Sequence, residues 1–387
     1  MDTTKTPTGR YIKLHGEISA FVPDPLPPGI DYDREMVNLL AEANGALGEL
    51  RGLARMTPDP SLFVRPFMNR EAVLSSKIEG TETEIEELLA YQGGQLRLPV
   101  QPSEPAQRDL REVVNYVKAM NYGLKRLTEL PMSLRLIREL HKRLMYRARG
   151  SHAAPGEFRR NQNFIGKPGS TIEEATYIPP PVPEMLESLD GLEKYIHGPS
   201  EDDRLIRLAL IHYQFEAIHP FNDGNGRVGR LLISLLTVFW ELLPLPLLYL
   251  SAYLERNRDG YYASLDRVST RGDWTGWLKF FLVGVREQAL DASKRFHGLL
   301  DLQSRWRCSV EDLGSNKPML LVDILFTRPI VSIPVVQRLV GYRTYRGAQY
   351  CVQGLVERGI LHEVDETKQP KLYVASDIVR ITNEPLM

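Results

Sequence analysis

Twelve consecutive residues, His219 to Arg230 (HPFNDGNGRVGR), bring together a histidine, a carboxylate, two glycines around an asparagine, and two arginines. These are the residue types of a phosphate site. Gly224 and Gly226 allow backbone conformations closed to other residues, so successive N–H groups can turn inward around an anion. A helix predicted to begin near Arg227 would aim its positive end at the same place. Asp223 is a hard oxygen ligand suited to Mg2+, an ion usually held by one or two carboxylates together with substrate phosphates. Arg227 and Arg230 lie three apart, which predicts one helix face from which both reach a polyphosphate. The unperturbed pKa of His219 lies near neutrality, which suits a general base. Phosphoryl or nucleotidyl transfer is the chemistry this set predicts.

His219, Phe221, Asp223, Gly224, Asn225, Gly226, Arg227 and Arg230 reproduce the signature HxFx[DE]GNGRxxR without a departure, and on these residues the chain resembles the Fic (filamentation induced by cAMP) proteins. With about one residue type in twenty at each position, chance agreement is on the order of one in ten million or less. The resemblance implies transfer of AMP from ATP to a Ser, Thr or Tyr hydroxyl of a target protein, with release of pyrophosphate. It implies that His219 deprotonates the hydroxyl and that Asp223 holds the Mg2+ bridging the α and β phosphates. Asn225, with the backbone of Gly224 and Gly226, would bind the α-phosphate, while Arg227 and Arg230 neutralise the β and γ groups. Phe221 would anchor the loop. The kinase-like Doc branch carries a different segment in place of GNGR, which disfavours its chemistry here.

A second stretch has the spacing of a built-in competitor. Ser75 and Glu79 lie four apart with Gly80 next, matching the motif [ST]xxxE[GN] found beside many Fic domains. A carboxylate at the end of a docked helix can pair, through charge-assisted bonds, with an arginine that would otherwise bind the γ-phosphate. The resemblance implies that Glu79 pairs with Arg230 and holds the enzyme down, as in the class whose inhibitory helix precedes the catalytic core.

The elements that must position these residues read as mainly helical. After a Pro-rich segment to about residue 31, expected to be an irregular arm, Val37, Leu39, Leu40, Ala43, Leu47 and Leu50 recur at helical spacing. A helix from near Pro60 carries Ser75 and Glu79, and Thr81 with Glu84 has the spacing of a capping box that restarts a helix after Gly80. Helices are predicted over 104–127 and 133–145; His141 and His152 are expected to be packing or surface residues, without metal-ligand spacing. Phe164 and Ile165, then Tyr177 and Ile178, flank a Gly-Lys-Pro-Gly turn and predict a β-hairpin with a long tip. In the resemblance this hairpin is a flap that captures the target protein by strand addition. Helices over 202–239 carry the signature, with His212 expected as a structural partner. Tyr261 and Tyr262 match aromatic positions near the adenine in relatives. Trp274, Trp277, Phe280 and Phe281 read as core.

With 387 residues, two or three domains are expected: 1–100 with the arm and inhibitory motif, 101–313 as a catalytic core, and 314–387 as a C-terminal module. In that module three short helices precede a two-stranded wing, the order of a winged helix-turn-helix with its third helix in the recognition position. Arg343, Arg346, Lys368 and Lys371 could meet phosphates, but nine Lys/Arg against seven Asp/Glu from Lys317 onward is a small surplus. Protein docking or homodimerisation is favoured over DNA. Over the whole chain 48 Lys/Arg against 49 Asp/Glu gives a formal charge of −1, so nothing in the global charge draws it to nucleic acid or membrane. Cys308 and Cys351 read as two buried thiols. The run Leu231 to Leu254 is broken by Glu241, Pro244 and Pro246, which predicts two buried helices meeting at a turn, and the first residues lack the apolar core of a signal peptide. A cytoplasmic location is expected.

The fold expected is therefore a Fic-type helical bundle with a small hairpin flap, followed by a winged helix domain. The expected function is an ATP-dependent protein adenylyltransferase inhibited by Glu79, with the protein itself also a candidate target. Two alternatives share the sequence: a phosphodiesterase that removes AMP at the same site, and a winged-helix regulator whose core senses nucleotide.

Overall fold

A computed structural model describes residues 3–93, 104–148, 154–167, 169–364 and 371–384. His152, Pro168 of the predicted hairpin turn and Lys368 of the predicted wing lie outside them. The N-terminal segment is a three-stranded antiparallel meander, β1 (Thr3–Thr6), β2 (Gly9–His15) and β3 (Ile18–Pro23), in place of the irregular arm expected. The prolines that suggested irregularity fall after it. Before them Gly16 turns the chain at φ 57, and Ile12, Ala20, Phe21 and Val22 are buried. The Phe21 N–H donates to the Ile178 carbonyl, which joins this sheet to the predicted flap.

Helix α1 (Arg34–Met56) starts at Asp33, whose side chain accepts from the Met36 N–H, and buries Met36, Ala43, Leu47 and Leu50 against α11 (Trp274–Ser309). The core-facing stripe begins at Met36; Val37 faces outward. Helix α2 (Ser61–Ile78) stops because Gly80 takes φ 88, leaving Glu79 as its C-terminal cap. The expected Thr81–Glu84 box does not form. The Thr81 hydroxyl is buried without a partner among the described residues, and α3 (Ile85–Gly93) is capped one turn later, where the Glu84 N–H donates to Glu87.

Helices α4 (Pro105–Arg126), α5 (Leu134–Leu144), α6 (Val182–His197), α7 (Arg204–Ile218), α8 (Asn225–Phe239), α9 (Ser251–Arg256) and α10 (Arg258–Arg271) surround one continuous apolar core. Between α5 and α6, the predicted hairpin reduces to one antiparallel bridge, Ile165 with Tyr177, around a turn of 3-10 helix at Ile172–Glu174. Thr171 and Glu174 form a reciprocal cap there, which diverts the chain from a second strand. Trp274, Trp277 and Phe281 are buried, with the Trp277 indole N–H donating to the Ala209 carbonyl at 3.0 Å. Cys351 is buried, but Cys308, in the last turn of α11, is exposed.

After a turn at Gly314 come α12 (Asn316–Thr327), β4 (Ile330–Ser332), α13 (Ile333–Val340), α14 (Tyr345–Glu357), β5 (His362–Glu363), β6 (Leu372–Val374) and α15 (Ser376–Asn383), the strands forming an antiparallel sheet in the order β4-β6-β5. Helices α12 and α15 pack directly on α2. Phe63 of α2 is enclosed between Phe296 of α11 and Phe326 of α12, both edge-on at 5.0 and 5.2 Å. The molecule is thus mainly helical with two small sheets. Among the described residues no helix is long and apolar enough to cross a membrane.

Candidate active site

The signature loop is shaped by two left-handed residues. His219 ends α7 at φ 48 and Gly224 precedes α8 at φ 79. Helix α8 begins at Asn225, two residues before the position predicted. Gly226 therefore lies within the helix, where its value is the absent side chain: a Cβ there would collide with the Glu79 carboxylate. Gly229 has the same role, making room for the carboxylate of Glu216.

Asn225 folds back on the loop. Its Oδ1 accepts from the Phe221 N–H at 2.9 Å and its Nδ2 donates to the Phe221 carbonyl at 2.8 Å, so this buried side chain closes the loop and leaves anion contacts to the backbone. Phe221 is fully buried and stacks on His141 at 3.8 Å. His141 is more than a packing residue. Its Nδ1 accepts from the Gly156 N–H at 2.8 Å, so Nε2 carries the proton and donates to the Asp223 carbonyl at 3.0 Å. Burial holds the ring neutral, with a pKa lowered to about 4.

Asp223 leaves 44% of its side chain exposed beside the loop, with Oδ1 accepting from the Gly224 N–H at 2.6 Å. No group of three or more metal-ligating side chains occurs among the described residues. One open carboxylate at an anion-binding turn fits Mg2+ carried largely by substrate phosphates and water, and does not fit a metal caged by protein.

The two arginines do not share a destination. Arg227 turns into the core, where Nη1 pairs with Glu112 of α4 at 2.8 Å and both side chains are buried. Its Nη2 also lies 3.7 Å from Asp223 Oδ1, so the guanidinium sits between Glu112 and the signature loop. Arg230 points at α2: Nε donates to the Ser75 hydroxyl at 2.8 Å, and Nη2 donates to the Ser75 carbonyl at 2.9 Å and to Glu79 Oε1 at 2.6 Å. Arg230 is 1% exposed and Glu79 32%. Burial pushes the Glu79 carboxyl up, but the Arg230 charge and hydrogen bond outweigh it and hold Glu79 below the usual carboxylate range.

His219 is kept neutral. Burial first, then the Arg159 cation, lowers its pKa to about 4, against the opposing Glu216 carbonyl and Glu79 charge. Nearby, Glu216 has Oε1 buried without a partner among the described residues, and burial raises its pKa to about 8 despite Arg230. Tyr261 is enclosed, its hydroxyl 2.9 Å from His212 Nε2, so it cannot stack on a base; it braces His212, which is structural as predicted. Tyr262, 43% exposed and 5.1 Å from the Tyr261 ring, is the tyrosine open to a ligand.

The flap base is stapled to the loop. Asn163 donates to the Phe221 carbonyl at 2.9 Å, the Tyr177 hydroxyl to the Ala217 carbonyl at 2.8 Å, and Arg159 to the His219 carbonyl at 3.1 Å. Ile165 is 38% exposed at the rim while Phe164 is half-buried. Sequence reasoning missed Glu112, Arg159 and Glu216. Only Glu216 left a signal, one helical turn before His219.

Comparison with known proteins comes to the same loop. The model of the Fic/DOC family N-terminal region matches residues 37–125 and that of the Fic/DOC family matches 131–237, together just over half of the chain. The chain is 28% identical over 188 residues to the protein adenylyltransferase Fic of Drosophila melanogaster, and 29% over 188 residues to that of Drosophila mojavensis; 46% of the chain is aligned in each case. It spans about a third of the length of these curated relatives (33%). Among solved structures, a Fic family protein from Desulfovibrio desulfuricans G20 superposes with a TM-score of 0.57 at 21% identity, over 90% of this chain and 98% of that one. Fic-1 from C. elegans gives 0.51 at 21% identity, over 69% and 73%. At such identity these likenesses establish the fold.

The raised pKa of Glu216 has a consequence for stability. An acid whose folded pKa of about 8 exceeds its usual value stabilises the fold below that usual value and loses this contribution as pH rises through 8. Glu71, raised by burial to about 7, adds to the decline at lower pH. The buried neutral His141, His212 and His219 act in the opposite sense below the unfolded imidazole value of about 6.5, so chemical denaturation should show the fall between about pH 6.5 and 8, and Glu216→Gln should flatten it. Identical pH dependence in the two proteins would contradict the assignment.

Proposed function

This chain belongs to the Fic/DOC family, and on that premise we propose that it is a protein adenylyltransferase restrained by its own Glu79. The observation that carries the reading is the hold of Ser75 and Glu79 on Arg230 at the mouth of the signature loop. A guanidinium presented there to a carboxylate can instead take a phosphate, and only one anion at a time.

In the proposed reaction His219, neutral at pH 7, takes the proton of a Ser, Thr or Tyr hydroxyl of the target. The hydroxyl oxygen bonds to the α-phosphorus of ATP, the bond from that phosphorus to the bridging oxygen breaks, and pyrophosphate leaves. The Gly224 turn and the first N–H groups of α8 face the α-phosphate, and Arg230, once released, balances the terminal phosphates. Asp223 would hold Mg2+, which supplies charge neutralisation on the phosphates when bound. Tyr262 is the candidate base contact. The flap around Ile165 would hold an extended piece of the target through main-chain bonds.

A second reading shares the site. Glu79 lies close enough to His219 to influence its charge, so it could orient a water for removal of AMP from a modified target. For the C-terminal module, the order helix, strand, two helices and two strands supports a winged helix. Exposed Tyr345 and Tyr350 on α14 suit protein docking or dimerisation, and the wing's Lys371 is already paired with Glu363 at 2.6 Å. A cytoplasmic setting is part of the same proposal.

With ATP radioactive at the α-phosphate, Glu79→Gly should raise labelling of the protein itself or of lysate proteins well above wild type. Adding His219→Ala should cut that labelling by about 10²-fold or more while MgATP still binds. Labelling unchanged by Glu79→Gly would count against the restraint, and labelling that survives His219→Ala would count against the base.

A further inference from the structure

We propose that Arg159 is a positioning residue that fixes the base and the flap to one another, so that a single side chain sets both. This rests on the adenylyltransferase reading. Arg159 is one of the largest fully enclosed side chains, and among the described residues its guanidinium bonds to no carboxylate. It meets three backbone carbonyls instead. Nε donates to His219 at 3.1 Å, Nη1 to Asn161 at 3.2 Å and Nη2 to Pro180. Its own N–H donates to the Pro220 carbonyl at 2.9 Å. Asn161 and Pro180 bracket the flap bridge of Ile165 and Tyr177, so the planar fork ties both flap ends to the residue that bears the base.

His219 needs such support. At φ 48 and ψ 61 it occupies a backbone region that residues with a side chain seldom adopt and that the surroundings must hold. The bond from Arg159 to its carbonyl supplies that hold. The charged groups facing the imidazole are Arg159 from the flap side and Glu79 from α2, with the Glu216 carbonyl of its own helix; burial resists its protonation most, and of these groups Arg159 alone adds to that resistance. Lysine cannot replace the fork, because one ammonium does not reach three carbonyls in this planar geometry.

The test compares Arg159, Arg159→Lys and Arg159→Met in full-length Glu79→Gly protein. The expected result is unchanged MgATP affinity with kcat lower by about 10²-fold in the methionine variant, partial rescue by lysine, and an acid limb of the pH profile moved to higher pH. Unchanged kcat and pH profile would overturn the proposal, as would loss of nucleotide binding in step with kcat, the mark of a general folding defect. Titration of the His219 ring by NMR reads the same point without catalysis: its pKa of about 4 should rise in Arg159→Met, and an unmoved value overturns the proposal even if no labelling is ever seen.

A separate observation concerns the opposite face of the inhibitory helix. We infer that the C-terminal module holds α2, and therefore Glu79, in its restraining position; this too rests on the proposed restraint. Arg70 of α2 pairs with Asp291 of α11 at 2.9 Å. Asp291 also accepts from Arg295 at 2.8 and 3.0 Å, and Arg295 donates to the Ile381 and Glu384 carbonyls at the end of α15. This chain of bonds, beside Phe63 against Phe326, runs from α2 to the last helix and opens onto a groove lined by Arg70, Asp291, Arg295 and Asn383. Arg70→Met in the full chain should raise hydrogen exchange of the Ser75–Glu79 amides severalfold and raise labelling with Glu79 still present. Exchange that does not change would overturn the inference. Raised exchange with no labelling even in Glu79→Gly would uphold the mechanical link and count against the enzymatic reading.

Discussion

Arg230 carries a permanent positive charge with 1% of its side chain exposed, and a buried cation must have an anion. Breaking such a pair from one side costs about 3–5 kcal/mol, because the remaining charge stays buried. In the present arrangement the anion is Glu79, with Ser75 filling the other positions of the guanidinium fork. Under the proposed function a phosphate would be the second anion able to satisfy Arg230, in place of the carboxylate of α2. In the proposed function, restraint and nucleotide binding would be a single exchange at one residue.

The surrounding fold fixes the Arg230–Glu79 pair in place. Gly226 and Gly229 remove the side chains that would block Glu79 and Glu216, so α2 and α7 can approach α8 closely. Arg227 and Glu112 neutralise each other in the core and anchor the first turn of α8 to α4. His141 reads the loop from behind through the Asp223 carbonyl and the Phe221 ring, which keeps the Asp223 carboxylate outward. On its far side α2 is backed by α12 and α15, so the helix that carries Glu79 is wedged between the signature-loop helices and the C-terminal elements.

Much of this was legible in the sequence because the chemistry is local. The signature loop, the Ser75 and Glu79 spacing, and the helix stop at Gly80 each depend on neighbours within a few residues. What was misread depends on where a side chain turns. Asn225 and Arg227 read as phosphate ligands in sequence; in the structure the Asn225 amide is taken up by Phe221, while Arg227 gives Nη1 to Glu112 and keeps Nε buried without a partner among the described residues. Tyr261 and Tyr262 are adjacent, yet helical rotation sends one to His212 and the other to the surface. The N-terminal sheet was hidden by the prolines that follow it, and the flap kept only the Ile165–Tyr177 bridge of the hairpin expected. Arg159 had no sequence signal, since its partners are carbonyls that any residue provides.

Competition at Arg230 is the central claim, and calorimetric titration of wild type and Glu79→Gly with MgATP and with AMP tests it most directly. AMP lacks the terminal phosphates and has nothing to offer Arg230 in exchange for Glu79. The account predicts that Glu79→Gly tightens MgATP by about tenfold or more and leaves AMP nearly unchanged. Equal gains for both nucleotides, or none for either, would contradict it.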